Sequence, residues 1–122
     1  MIEKLEIPNS TPFEPSILER QVFVYVAHPY GGKEENKELC AKYMKKLQNH
    51  FYRPMFISGI HTFCFYSYED EDYEIGIDRC LLLLSKCKAI VLCGDWRNSK
   101  GCCAEYGYAM AKGIQVFELE EP

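Results

Sequence analysis

The stretch Cys87-Lys-Ala-Ile-Val-Leu-Cys-Gly94, running into Asp95-Trp-Arg-Asn-Ser-Lys-Gly101 and Cys102-Cys-Ala-Glu105-Tyr-Gly-Tyr-Ala-Met-Ala-Lys-Gly113, decides the fold. It closes with a second apolar run, Ile114-Gln-Val-Phe117. A short apolar run, a polar glycine-containing loop, a helical stretch and another apolar run read as buried strand, loop, helix and buried strand. On this reading Glu105 falls in the opening turn of the helix, directly after a loop suited to a polar ligand. Free backbone N–H groups and the positive end of the helix dipole converge at such a place and favour anions.

Upstream, the same alternation repeats. Gln21 to Ala27 is a continuous β-branched and aromatic run, as expected of a strand covered on both faces. His28-Pro29-Tyr30-Gly31-Gly32 breaks it. Lys33 to Phe51 places Leu39, Cys40, Tyr43, Met44 and Leu47 at helical spacing, Arg53 to Ile57 suits a short second strand, and Tyr73 to Lys86 returns to helix, burying Ile77, Cys80, Leu81 and Leu84. Between them, residues 59–72 form a long irregular region rich in aromatics. The order β-α-β-α-β-α-β predicts a three-layer α/β fold, a flavodoxin/Rossmann-like parallel sheet of four to five strands with helices on both faces. Residues 1–20, with Pro8, Pro12 and Pro15 among polar neighbours, read as an extended N-terminal arm, and 21–122 as the domain. Such sheets bind ligands outside the carboxyl ends of their strands, so loops 28–32 and 94–101 are expected to meet at one edge.

Composition narrows the class. A chain of 122 residues, 48% hydrophobic, is long enough for one domain with a core that needs no disulfides. A net charge of -4 argues against a nucleic-acid polymer as partner, because phosphate backbones demand clustered Lys and Arg. No apolar run has the length of a membrane span and no basic-then-apolar leader opens the chain, so a cytoplasmic protein without membrane contact is expected. The seven cysteines are odd in number, lack a Cys-x-x-Cys pair and sit mostly in apolar runs, so they read as reduced packing residues. No metal site and no cofactor are expected. Cys102 and Cys103 lie beside the loop, where a helix N-terminus can depress a thiol pKa.

The motifs Tyr25-Val-Ala-His-Pro-Tyr-Gly-Gly, Asp78-Arg-Cys-Leu and Gly94-Asp-Trp-Arg-Asn-Ser-Lys-Gly-Cys-Cys-Ala-Glu105-Tyr-Gly-Tyr-Ala resemble the nucleoside 2-deoxyribosyltransferase-like superfamily. The chain looks closest to its small phage and bacterial members and is similar to the nucleoside 5′-monophosphate N-glycosidases. The resemblance spans about residues 21 to 118. It implies Glu105 as the nucleophile that attacks the anomeric carbon and Asp78 as the group that assists departure of the base. It further implies Ser99 at a 5′-phosphate and the 28–32 loop against the sugar and phosphate. Substrate-binding residues on this reading are Tyr25, His28, Gly31, Gly32, Trp96, Ser99 and Gly101. The function so implied is an N-glycosidase or deoxyribosyltransferase acting on a nucleoside 5′-monophosphate; the alternative is a catalytically inactive nucleotide-binding or sequestering protein. The expected partners are a small nucleotide or nucleoside and further copies of the chain, as a homodimer or higher oligomer.

Retaining glycosidic cleavage needs one ionised carboxylate and one acid, so Glu105 is expected to stay ionised and Asp78 to lie in an apolar, partly buried setting. Plainer readings stand beside these. Glu105 also fits helix electrostatics, Ser99 an N-cap, Asp78 a surface acid and Trp96 a shield for its loop. His61 is either a pocket residue or incidental. Phe63-Cys-Phe-Tyr-Ser-Tyr68 suits a base-stacking wall or a subunit interface.

Overall fold

The computed structural model of the chain describes residues 2–7, 16–67 and 70–122. Among these residues five strands, β1 (Ile2–Lys4), β2 (Phe23–Ala27), β3 (Met55–Ser58), β4 (Ala89–Cys93) and β5 (Gln115–Leu119), form one sheet in the order β1-β5-β4-β2-β3. Every pairing is parallel. The helices are α1 (Glu34–His50), the single turn α2 (Gly59–Thr62), α3 (Asp70–Ser85) and α4 (Lys100–Lys112). Among the described residues no helix is long and apolar enough to cross a membrane.

The strands are continuous apolar runs because successive residues point to opposite, equally covered faces. Val24, Val26, Val91, Cys93, Phe117 and Leu119 pack on one face with Cys40, Tyr43 and Leu47 of α1. Tyr25, Ala27, Ile90, Leu92 and Val116 pack on the other with Leu84 of α3 and Cys102 and Ala109 of α4. Helix α4 ends where Gly113 turns left-handed at φ 70°, and Ile114 N–H reaches back to the Ala109 carbonyl oxygen at 2.9 Å.

The expected three layers are present, and Val24, Val26, Leu84, Ile90, Leu92 and Val116 are all in the core. The N-terminal segment departs from the arm reading. Its residues 2–4 pair with β5 as an outer strand, Leu5 N–H extends the ladder to the Glu118 carbonyl oxygen, and Leu18 is buried. Three residues are too few to show a period, so pairing alone makes this a strand. Pro8, Pro12 and Pro15 lie outside the described residues.

At the opposite edge, β3 has an unpaired side, and unpaired strand edges invite other chains. Gln48 of α1 covers it. Its Oε1 accepts from Phe56 N–H at 3.3 Å, while its Nε2 donates to the carbonyl oxygens of Pro54 (2.7 Å) and Phe51 (3.1 Å). Gln48→Leu keeps helix propensity and removes these bonds, together with a longer one to the Tyr52 carbonyl oxygen at 3.5 Å. It should cost about 1 to 3 kcal/mol in urea unfolding and promote concentration-dependent association visible by light scattering.

Candidate active site

Strand order reverses between β2 and β4, so the loops leaving their carboxyl ends diverge and leave a crevice. The crevice is lined from β2 and its loop by Tyr25, His28 and Tyr30, from α2 by Gly59, from α3 by Asp72, Tyr73, Gly76 and Cys80, and from α4 by Ser99, Gly101 and Glu105. Phe63 and Tyr66 complete an aromatic wall. The cavity volume is about 90 Å³, several times the share of one water, so it is a recess rather than a packing flaw. Loops 28–32 and 94–101 do meet here.

At the floor, the Tyr25 hydroxyl donates to Glu105 Oε2. Glu105 belongs to the stripe Cys102, Glu105 and Ala109 that α4 turns towards the sheet, and it is 6% exposed. Its surroundings differ from those expected. Helix α4 begins at Lys100, so Glu105 stands in the second turn, beyond the reach of the free N–H groups. Burial pushes its carboxyl up from 4.5 to about 7, against the Tyr25 hydrogen bond, which lowers it. The tyrosine shifts upward too, through burial first and the nearby carboxylate second. Gly59 makes this contact possible, because a Cβ there would overlap the Tyr25 hydroxyl and the Cys80 sulfur.

His28 follows β2 directly. Its Nδ1 lies 2.7 Å from the Pro29 carbonyl oxygen, a contact that protonates Nδ1 and leaves Nε2 as an acceptor. Burial lowers its pKa, so the ring is neutral at pH 7. Nε2 occupies space that a side chain at residue 94 would crowd, and Gly94 is also left-handed, with φ 64°. Ser99 is the N-cap of α4, its Oγ accepting from Cys102 N–H at 3.3 Å, yet it lines the crevice as well.

Other expected residues stand elsewhere. Asp78 is exposed on α3 and outside the lining, because the crevice face of that helix carries residues 73, 76, 77 and 80. The carboxyl of α3 that reaches the crevice is Asp72, whose Oδ2 accepts from Ser67 N–H at 3.2 Å. Gly31 and Gly32, with φ of 61° and 72°, turn the chain into α1 and stay outside the lining. Trp96 is buried away from the crevice. Its Nε1 donates to Glu118 Oε2 at 2.7 Å, its ring lies 5.2 Å from that of Tyr106, and the Arg97 guanidinium covers it at 4.5 Å. Arg97 also pairs with Glu118 at 2.6 Å. Burial alone would raise the Glu118 pKa, but the Trp96 and Arg97 bonds hold it below the usual value. His61 faces Ser58, with Nδ1 2.8 Å from Oγ, and does not line the crevice. Tyr68 lies outside the described residues.

All seven cysteines are free. Cys102 has no depressed thiol: burial first, and Glu105 second, push it well up. Among the described residues no group of three or more His, Cys, Asp or Glu is arranged to hold a metal ion. Among the described residues the lining holds two carboxyls and no Lys or Arg. Asp72, Gly59 and Cys80 were not singled out from sequence as site residues. Gly59 and Cys80 make their contacts through residues distant in the chain, and Asp72 shares its helix face with Gly76 and Cys80.

Sheet order and crevice together define a three-layer parallel α/β domain with a buried carboxyl–phenol pair at its switch point. More narrowly, the chain belongs to the family described as a domain of unknown function, DUF7768, whose model matches residues 22–119. That span runs from the residue before β2 to the end of β5 and includes every residue of the crevice. No curated protein matches the chain.

Glu105 gives the stability a signed pH dependence. Its folded pKa is raised, so the folded state binds the proton more tightly than the unfolded chain does. Stability from this group is therefore fully present below about 4.5 and lost as pH rises to about 7. The loss is on the order of 3 kcal/mol. Glu105→Gln should flatten that part of a urea-midpoint profile between pH 4.5 and 7.5 and exceed the unsubstituted protein in stability at its alkaline end.

Proposed function

We propose that the chain is an N-glycosidase or deoxyribosyltransferase acting on a nucleoside 5′-monophosphate, with Glu105 as nucleophile. The observation that carries this reading is the buried Tyr25–Glu105 pair at the floor of the switch-point crevice. A carboxyl pushed up to about 7 is half ionised at neutral pH and, once ionised in so dry a setting, is a strong nucleophile towards a developing oxocarbenium centre. The Glu105 oxygen bonds to the anomeric carbon as the bond to the base breaks and the base takes its electron pair. Asp72 is the second carboxyl on the crevice wall, and the departing base takes up its proton from solvent. Water or a second base then releases the sugar from Glu105.

The phosphate end is assigned to Ser99 and the backbone of Gly101. Ser99 Oγ accepts from Cys102 N–H and still has its own proton to donate. Gly101 N–H, in the first turn of α4, has no partner within the helix. The aromatic wall of Phe63, Tyr66 and Tyr73 offers faces on which a base can stack. The exposed position of Asp78 favours a second reading, nucleotide binding without turnover.

Incubation with a panel of nucleosides and their monophosphates, followed by chromatography for free base, separates the two. Turnover should rise with pH through about 7, following ionisation of the nucleophile. Glu105→Gln should abolish it while calorimetry still records binding, and Ser99→Ala should shrink the preference for the monophosphate. Binding with no base released by any nucleotide would leave the second reading. Equal affinity for nucleoside and monophosphate would remove the phosphate assignment.

Pairing of copies is part of the same reading. Ile75 and Leu82 lie two turns apart on the outer face of α3, 42% and 51% exposed, and Phe65 is 74% exposed near the crevice mouth. Light scattering should give at least twice the chain mass, and Leu82→Lys should lower it; a monomer at every concentration would refute the pairing.

A further inference from the structure

The imidazole of His28 has one nitrogen paired and one bare. Nδ1 lies 2.7 Å from the Pro29 carbonyl oxygen and carries the ring proton there, so Nε2 holds a lone pair. Among the described residues Nε2 has no hydrogen-bond partner. The ring of Tyr43 packs 5.4 Å from the imidazole, but its hydroxyl is committed to the Glu120 carbonyl oxygen at 2.6 Å. Among the same residues no side-chain nitrogen or oxygen is both sealed from solvent and unpaired. Nε2 therefore reaches solvent although the residue is only 6% exposed, and the cavity that His28 lines is the crevice. A nearly buried acceptor that opens into a recess is a place for a donor on a ligand.

The ring is held in this orientation. Pro29 fixes the backbone that follows it. The Tyr30 carbonyl oxygen accepts from Lys33 N–H at 3.1 Å and from Asn36 Nδ2 at 2.8 Å, which ties the loop to the start of α1. A Cβ at residue 94 would come within 3.1 Å of Nε2, so glycine there keeps the nitrogen clear. Alternation along β2 turns Tyr25 to the face of α3 and α4 and Val26 to the face of α1, and His28 packs with α1. The imidazole and the Tyr25–Glu105 pair thus enter the crevice from opposite faces of the sheet. A ligand that touches both lies across the carboxyl end of β2.

In the nucleotide reading the anomeric carbon is at Glu105, the base against the aromatic wall and the phosphate at Ser99 and Gly101. A 2′-deoxy sugar then has one hydroxyl left, at C3′. We propose that His28 is a specificity-determining residue whose Nε2 accepts the proton of a free 3′-hydroxyl. The substrate class is accordingly a monomeric nucleotide. An ester at C3′, as in a polynucleotide or a 3′-phosphate, has no proton to give and sets oxygen lone pairs against the nitrogen lone pair. Burial lowers the pKa of the ring, so it stays an acceptor at neutral pH. The inference rests on the nucleotide reading and is independent of turnover.

Calorimetry at neutral pH tests it with matched pairs for each common base, the 2′-deoxynucleoside 5′-monophosphate and its 2′,3′-dideoxy counterpart. In the unsubstituted protein, loss of the 3′-hydroxyl should weaken binding about tenfold, the worth of one hydrogen bond. In His28→Phe the two members should bind alike. The corresponding 3′,5′-bisphosphate should bind the unsubstituted protein more weakly than the dideoxy compound, and tighter binding would overturn the proposal. Equal binding within every pair, or an undiminished gap in His28→Phe, overturns it too and leaves the nucleotide reading standing. Binding of no member of any pair overturns both. If His28→Phe does not fold, nuclear magnetic resonance of the unsubstituted protein with isotope-labelled histidine decides. The His28 Nε2 resonance, assigned by elimination in His50→Gln and His61→Gln, should shift on adding the deoxy monophosphate and not the dideoxy one. A resonance that both compounds move equally overturns the assignment.

Discussion

The site depends on a carboxyl group buried, among the described residues, without a counter-ion. Moving a charge from water into a protein interior is costly, and an isolated acid avoids the cost by holding its proton. Glu105 is placed in this position by the inward stripe of α4, and its partner is a phenol. That choice constrains the surroundings. Tyr25 must stand on a central strand for its ring to be buried while its hydroxyl reaches α4. Gly59 must lack a side chain, and α3 and α4 must pack closely enough to exclude water. A lysine in place of the phenol would give a stable ion pair and fix the charge. The phenol leaves the carboxyl near its midpoint at neutral pH.

The fold was legible where the chain writes its covering into composition. β2 and β4 are apolar at nearly every position because helices lie on both faces, and that pattern has few other readings. β1 was not legible, since three residues carry no period and its partner β5 lies more than a hundred residues away. The position of the crevice followed from topology alone. Its furnishing did not, because it turns on helix phase and on where a helix begins. Starting α4 at Lys100 moves Glu105 out of the dipole-dominated first turn, and burial then reverses the sign of its expected shift. The phase of α3 likewise turns Asp78 to solvent and Asp72 to the crevice.

Trp96 shows a further limit. An aromatic residue in a loop beside a pocket invites a stacking role, and sequence alone does not choose between that and shielding the loop. The acceptor for its N–H is Glu118, at the end of β5, and the two meet only once β4 and β5 pair. Glu118 in turn is held below the usual carboxyl pKa by the Trp96 bond and by Arg97, which reaches back from the same loop. The trio pins the segment that delivers Ser99 to the crevice, so the tryptophan acts on the site through its loop.

The chain has one tryptophan, and its indole is held between a guanidinium and a tyrosine ring with its N–H on a carboxylate. Excitation at the red edge of the absorption band, where tyrosines are dark, therefore interrogates this loop alone. A blue-shifted emission marks the loop seated on β5, and a shift towards longer wavelength marks its release. The protein thus carries its own optical gauge of whether the wall that presents Ser99 is in place, readable without a label and independent of any ligand.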